Sequence, residues 1–139
     1  MTISPAEVAA LKVPEANIQE TVVQYLQLDG WRAFRTELTV QRERGRVVGE
    51  RGQPDYLFIR YQDPAAFEEY EQKRWAEIMW IEFKAGGEKQ KWAQSNSLSA
   101  KFQRAWHAAE RSRGALVLVV DDINSFIEWY MTCGLLRRK

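Results

Sequence analysis

One cysteine, Cys133, and one histidine, His107, are all that this chain of 139 residues carries of either type. A lone cysteine excludes an internal disulfide, and no Cys/His cluster with zinc spacing can be drawn. Such usage fits a reducing, cytoplasmic compartment. Long apolar runs are missing too: the longest, Ala115 to Val120, suits a buried strand and falls far short of the roughly 20 residues that cross a bilayer. Met1 to Ala10 lacks a basic segment ahead of an apolar one, so an unexported protein is expected. There are no internal repeats and no linker long enough to divide the chain, which predicts a single domain over residues 1–139 with a core from about residue 15 to 130. Charge of one sign is also scarce. Twenty Lys and Arg against 19 Asp and Glu leave a net charge of +1, which counts against a uniformly basic nucleic-acid surface.

What charge there is lies unevenly. From Arg32 to Arg51 six arginines (32, 35, 42, 44, 46, 51) face three glutamates (37, 43, 50), Arg137-Arg138-Lys139 closes the chain, and Asp63 to Glu77 is acidic. This pattern permits a basic face backed by an acidic one, and equally a plain solvated surface. With 45% apolar and 28% charged residues, the composition is that of an ordinary globular domain.

Hydrophobic spacing outlines the elements. Pro14 sits where a first helical turn tolerates it, Ile18, Val22, Tyr25 and Leu26 recur at helical intervals, and Gly30 supplies a stop. Trp31 to Thr36 and Leu38 to Val40 read as extended, and Arg42 to Gly52, with three glycines, reads as a flexible basic hairpin tip or loop. Tyr56 to Ile59 is a short strand. Ala65 to Trp75 predicts a surface helix, and Glu77 to Lys84 a strand buried on both faces. A polar stretch follows Gly86-Gly87, then a helix runs to about Arg113 with Phe102, Ala105, Trp106 and Ala109 expected on its inner face. Leu116 to Val120 is a further strand, and Ile123, Phe126, Ile127 and Tyr130 mark a last helix. The fold class is therefore α/β, a central mixed β-sheet flanked by helices.

The chemistry-bearing residues sit at two strand ends. Gly52-Gln53-Pro54-Asp55 precedes one strand, and Glu82-Phe83-Lys84 ends the next. Two carboxylates brought together this way can share a Mg²⁺ or Mn²⁺ ion, which favours oxygen ligands and keeps several waters. Strand alternation puts Glu82 and Lys84 on one face, with Phe83 turned into the core and its backbone carbonyl available to the metal. Lys84 could then orient an attacking water or stabilise developing negative charge. The plain structural alternative is a Pro-Asp turn and a cross-sheet ion pair. Both halves together, ending an otherwise apolar strand with charge, favour a site.

Gly52-Gln53-Pro54-Asp55, Glu82-Phe83-Lys84 and Gln103, with Glu15-Ala16-Asn17-Ile18-Gln19, Gly30-Trp31, Arg35-Thr36 and the strand from Gly114 to Asp122, resemble the signature of the VRR-NUC (virus-type replication-repair nuclease) family of the PD-(D/E)xK nuclease superfamily. The resemblance spans about Glu15 to Tyr130. It implies a restriction-endonuclease-like core and a metal-dependent DNA endonuclease in which Asp55 and Glu82 bind Mg²⁺ or Mn²⁺, Lys84 is catalytic and Gln103 supports the site. It also implies an acid from the first helix, matched by Glu15 or, failing that, Glu20. A homodimer acting on Holliday junctions or other branched DNA is the expected assembly, in a bacterium or phage-infected cell. The chain departs from the family pattern in an added Phe67 to Trp75 segment and a long connection from Lys84 to Gln103, both of which bear on substrate geometry. A non-catalytic DNA-binding module on the same fold is the alternative, and an α/β interaction protein a third possibility.

Arg35, Arg42, Arg44, Arg46, Lys89, Lys91, Lys101 and Arg104 flank the proposed site in sequence and could grip backbone phosphates. His107 shares a helix face with Gln103 and could approach the site or serve structure alone. Trp75 and Trp92, in polar surroundings, could stack on an unpaired base or bury a dimer contact.

Overall fold

The computed structural model describes residues 12–36, 39–41, 46–48, 50–61 and 75–138, with backbone only at 39–41 and 46–48. The predicted helix from Ala65 and the arginines Arg42 and Arg44 lie outside the described residues, as does the side chain of Arg46. Its order is α1 (Glu15–Leu28), β1 (Arg32–Arg35), β2 (Thr39–Gln41), β3 (Arg46–Val48), β4 (Tyr56–Tyr61), β5 (Ala76–Phe83), α2 (Lys89–Gln94), α3 (Leu98–Ser112), β6 (Leu116–Val120) and α4 (Ile123–Thr132). Four strands form one mixed sheet in the order β1-β4-β5-β6, antiparallel except for the parallel β5–β6 pair. That mixed sheet flanked by helices is the α/β class expected. No helix among the described residues is long and apolar enough to cross a membrane.

Two stretches hold more regular structure than their sequence suggested. Arg42 to Gly52, read as a hairpin tip or loop, contains β3, which pairs with β2 in a separate two-stranded hairpin. The polar stretch before α3 contains the short helix α2, whose lysines and glutamines carry no apolar periodicity to betray it.

Strand alternation divides the sheet into two unlike faces. Phe58 of β4, Met79, Ile81 and Phe83 of β5 and Val120 of β6 point to one side, where they meet Ile18, Val22 and Leu26 of α1 and Phe126 and Tyr130 of α4. This is the core. The other face carries Trp80, Glu82, Val117 and Val119, with α3 against β6. Ile78 on that face is 50% exposed, so the cover there is thinner among the described residues.

At the end of the core face remote from Glu82, Arg60 is buried, with 2% of its side chain exposed. Its guanidinium donates to Asp29 Oδ2 at 2.9 Å and to Glu77, and its central carbon lies 4.5 Å from the centre of the Trp31 ring. Tyr130 accepts from Trp31 Nε1 at 2.8 Å and donates to Asp29. Asp29 also accepts the backbone N–H groups of Arg137 and Arg138, tying the C-terminal segment to the end of α1. Burial alone would raise the Asp29 pKa, but the hydrogen bonds from Tyr130 and those two amides, with the Arg60 charge, hold it below the ordinary carboxylate value. Removing one partner strands a buried charge, which typically costs about 3–5 kcal/mol. Asp29→Ala is therefore expected to lower unfolding free energy by about that amount in urea titrations. A loss below about 1 kcal/mol would mean the network is not closed as described.

Candidate active site

Extending the β4–β5 register one step beyond Tyr56 and Ile81 sets Asp55 directly opposite Glu82. Like charges across a ladder repel, and β4 begins only after this pair. The two acids are nevertheless cross-linked: Asp55 Oδ2 accepts the Phe83 N–H at 2.7 Å, and the Asp55 N–H donates to Glu82 Oε2 at 3.2 Å. Asp55 is steadied from β1, whose Thr36 N–H donates to the Asp55 carbonyl at 2.8 Å while the Thr36 hydroxyl donates to the buried Pro54 carbonyl. Phe83 is fully buried in the core as expected.

Glu82 is 1% exposed, and its Oε1 has no hydrogen-bond partner. Burial first, then the adjoining Asp55 carboxylate, pushes its pKa up to about 9, with Lys84 opposing from 3.8 Å. A buried glutamate with one unsatisfied oxygen, opposed by a half-buried aspartate, suits a divalent cation, whose charge replaces the proton the pair otherwise needs. Among the described residues no group of three or more His, Cys, Asp or Glu side chains converges, so backbone oxygen and water would complete the shell.

Lys84 is positioned from α3. Gln103 Oε1 accepts from Lys84 Nζ at 3.2 Å and from Trp92 Nε1 at 2.6 Å, and the ammonium lies 5.6 Å from the centre of the Trp92 ring. The expected support role of Gln103 thus has a concrete contact. Trp92, expected as a stacking or dimer surface, is engaged inside the fold. Trp75 is 53% exposed directly before β5.

The α3 face is rotated from the expected one. Ala100 and His107 are buried and Gln103 and Arg104 half-buried, whereas Phe102, Ala105 and Ala109 are exposed and Trp106 is half-buried. The apolar residues were expected inside. Instead, the polar edge turns inward because Lys84 and the α2 carbonyls supply partners there: Arg104 donates to the Trp92 and Ser95 carbonyls at 2.6 and 2.7 Å. Arg104, expected to grip phosphate, therefore caps the end of α2. His107 packs against Trp92 at 5.3 Å with neither ring nitrogen hydrogen-bonded. Burial, then the Arg111 and Lys84 charges, pulls its pKa down to about 4, so it is neutral at pH 7 and does not line the cleft.

Glu15 stands exposed at the start of α1. Its pKa is raised by burial and the Asp55 charge and lowered by Lys84 and Arg35, so it feels the site electrostatically without joining a set of three ligands. Glu20 is exposed further along the helix. Of the other basic residues, Arg35 lines the cleft beside Asp55, and Lys89, Lys91 and Lys101 are exposed. Arg51 lines the same cleft and was not singled out from the sequence. Its position just before the Gly-Gln-Pro-Asp motif was the available signal.

Compared with family models, curated proteins and solved structures, the chain matches none. Any functional reading therefore rests on the site itself.

Because the folded pKa of Glu82 lies above that of an unfolded glutamate, its protonation favours the metal-free fold fully below about pH 4.3, and that contribution is lost as pH rises toward 9. In chelator, unfolding free energy should fall between pH 5 and 9 with a slope of up to about 1.4 kcal/mol per pH unit. Glu82→Gln should flatten the profile, and Mn²⁺ should stabilise the wild-type protein more at pH 8 than at pH 5. Identical pH profiles for wild type and Glu82→Gln would refute the assignment.

Proposed function

We propose that the protein is a Mg²⁺- or Mn²⁺-dependent DNA endonuclease with a restriction-endonuclease-like core, of the VRR-NUC kind that its motifs resemble. The observation that carries the reading is the opposed Asp55–Glu82 pair, half-buried at Asp55 and fully buried at Glu82, whose Oε1 lacks a hydrogen bond, with the Lys84 ammonium 3.8 Å from Glu82. Asp55 and Glu82 would hold the cation, with the Phe83 carbonyl as a further oxygen ligand. Bound there, it would activate water and neutralise charge on a phosphodiester. The remaining chemistry belongs to side chains. Lys84 stabilises the negative charge that builds on the phosphate, and Gln103 keeps its ammonium from swinging toward solvent. Glu15 contributes negative charge at the rim. Branched DNA is the proposed substrate and a homodimer the proposed acting form, in the cytoplasm of a bacterial or phage-infected cell.

The rival reading, a DNA-binding module without catalysis, draws on the lack of a third converging acid among the described residues. One set of assays separates the two. With a four-way junction, a flap and plain duplex in Mn²⁺, the wild-type protein should nick at least one substrate, and chelator should abolish it. Lys84→Ala should retain binding while cleavage falls about 100-fold or more, since a group acting on developing charge serves the transition state above all. Asp55→Asn should do the same through the metal. DNA binding without nicking of any substrate at any metal concentration would establish the rival.

A further inference from the structure

Beyond Asp55, the cleft changes sign. Its lining runs past Gln53 to Arg35 and Arg51 and includes Phe102 and Ser99 of α3, around a space of about 430 Å³. Arg51 lies over an aromatic, its guanidinium carbon 4.1 Å from the centre of the Phe102 ring. Phe102 remains 37% exposed, so the stack sits at the mouth of the cleft.

The turn that carries Arg51 is clamped to α3 on both sides of it. Glu50 accepts from Trp106 Nε1 at 2.6 Å. Gly52, at φ +92°, presses so near the Phe102 carbonyl that an added Cβ would come within 2.4 Å of it. Only glycine supplies both the left-handed backbone and the clearance. An arginine fixed in this way loses less freedom on binding than one on a free loop. The attraction of a cation to a ring face uses none of its N–H donors. Among the described residues no carboxylate comes within ion-pairing distance of it. A guanidinium held by its turn, with no carboxylate partner among the described residues and in a cleft that it shares with a second arginine, suits the tetrahedral anionic oxygens of a phosphate.

We infer that Arg51, held against Phe102, binds the phosphodiester neighbouring the one that is cut and so draws the strand along the cleft toward Asp55 and Glu82. This rests on the nuclease reading for the identity of the cut bond, and the anion site itself rests on the cleft alone. The acid pair repels an uncompensated DNA backbone, and Arg51 offsets that repulsion one linkage away.

The test uses Arg51→Gln, which keeps a hydrogen-bonding side chain but is shorter and removes charge, and Phe102→Leu, which removes the ring from a partly exposed position. Binding to a labelled four-way junction is measured in chelator across a salt series. Arg51→Gln should weaken binding about tenfold at low salt and reduce the slope of log K against log salt by about one. Phe102→Leu should give a smaller loss, about threefold, in the same direction. In Mn²⁺, KM for cleavage should rise about tenfold for Arg51→Gln. A single neutral methylphosphonate linkage, placed in turn at each position flanking the mapped cut, should cost the wild-type enzyme about tenfold at one position and cost Arg51→Gln nothing there. Normal wild-type cleavage combined with an unchanged salt slope in Arg51→Gln overturns this inference and leaves the nuclease reading intact. A reduced slope combined with no wild-type cleavage sinks the nuclease reading and leaves a phosphate site.

Discussion

The architecture turns on the cross-strand meeting of Asp55 with the end of β5. An aspartate just outside β4 accepts the Phe83 amide, while its own amide reaches the carboxylate of Glu82. These two bonds finish the ladder at a point where side-chain charge alone would push the strands apart. They also fix which acid faces which, since a slip of one residue would exchange Glu82 for Phe83 on that face and put the charge in the core. The site and the end of the sheet are one construction.

A second buried ionic group sits at the opposite end of the sheet, and on the opposite face. Around Arg60 every charge has a counterpart, and aromatic hydroxyl and indole groups complete the set. Around Glu82 an oxygen is left over. The proposed function rests on that contrast between a closed network and one that leaves a buried oxygen without a partner. Arg60 links the end of α1, β4, β5 and, through Asp29 and Glu77, the C-terminal segment, so the strands run toward Asp55 and Glu82 from a closed ionic network.

The α3 helix shows how tertiary partners override pattern. Its apolar residues suggest an inner face through Phe102, Ala105 and Ala109, yet the helix buries Ala100 and His107 and turns Gln103 and Arg104 inward. Polar side chains can face inward here because Lys84, Trp92 and the α2 carbonyls satisfy them. The rotation also leaves Phe102 at the cleft mouth, where it supports Arg51. Helix α2 escaped notice for a related reason. Six residues with no buried member carry no periodic signal, and the helix is held by Arg104 from outside its own sequence.

Read from the residues alone, the chain already specified the α/β order, the first and last helices, the strand Leu116 to Val120 and the placing of Asp55, Glu82 and Lys84 at two strand ends, whereas Gln103 was drawn in only by the family resemblance. Each of those depends on local periodicity, on a glycine or proline at a boundary, or on charge interrupting an apolar strand. The tertiary structure alone decided that Asp55 stands opposite Glu82, that α3 turns its polar edge inward, that Arg104 caps a helix and that Arg51 rests on Phe102. Those outcomes depend on contacts between segments far apart in the chain, where hydrogen-bond satisfaction and charge proximity are set by register and packing. No local pattern encodes them.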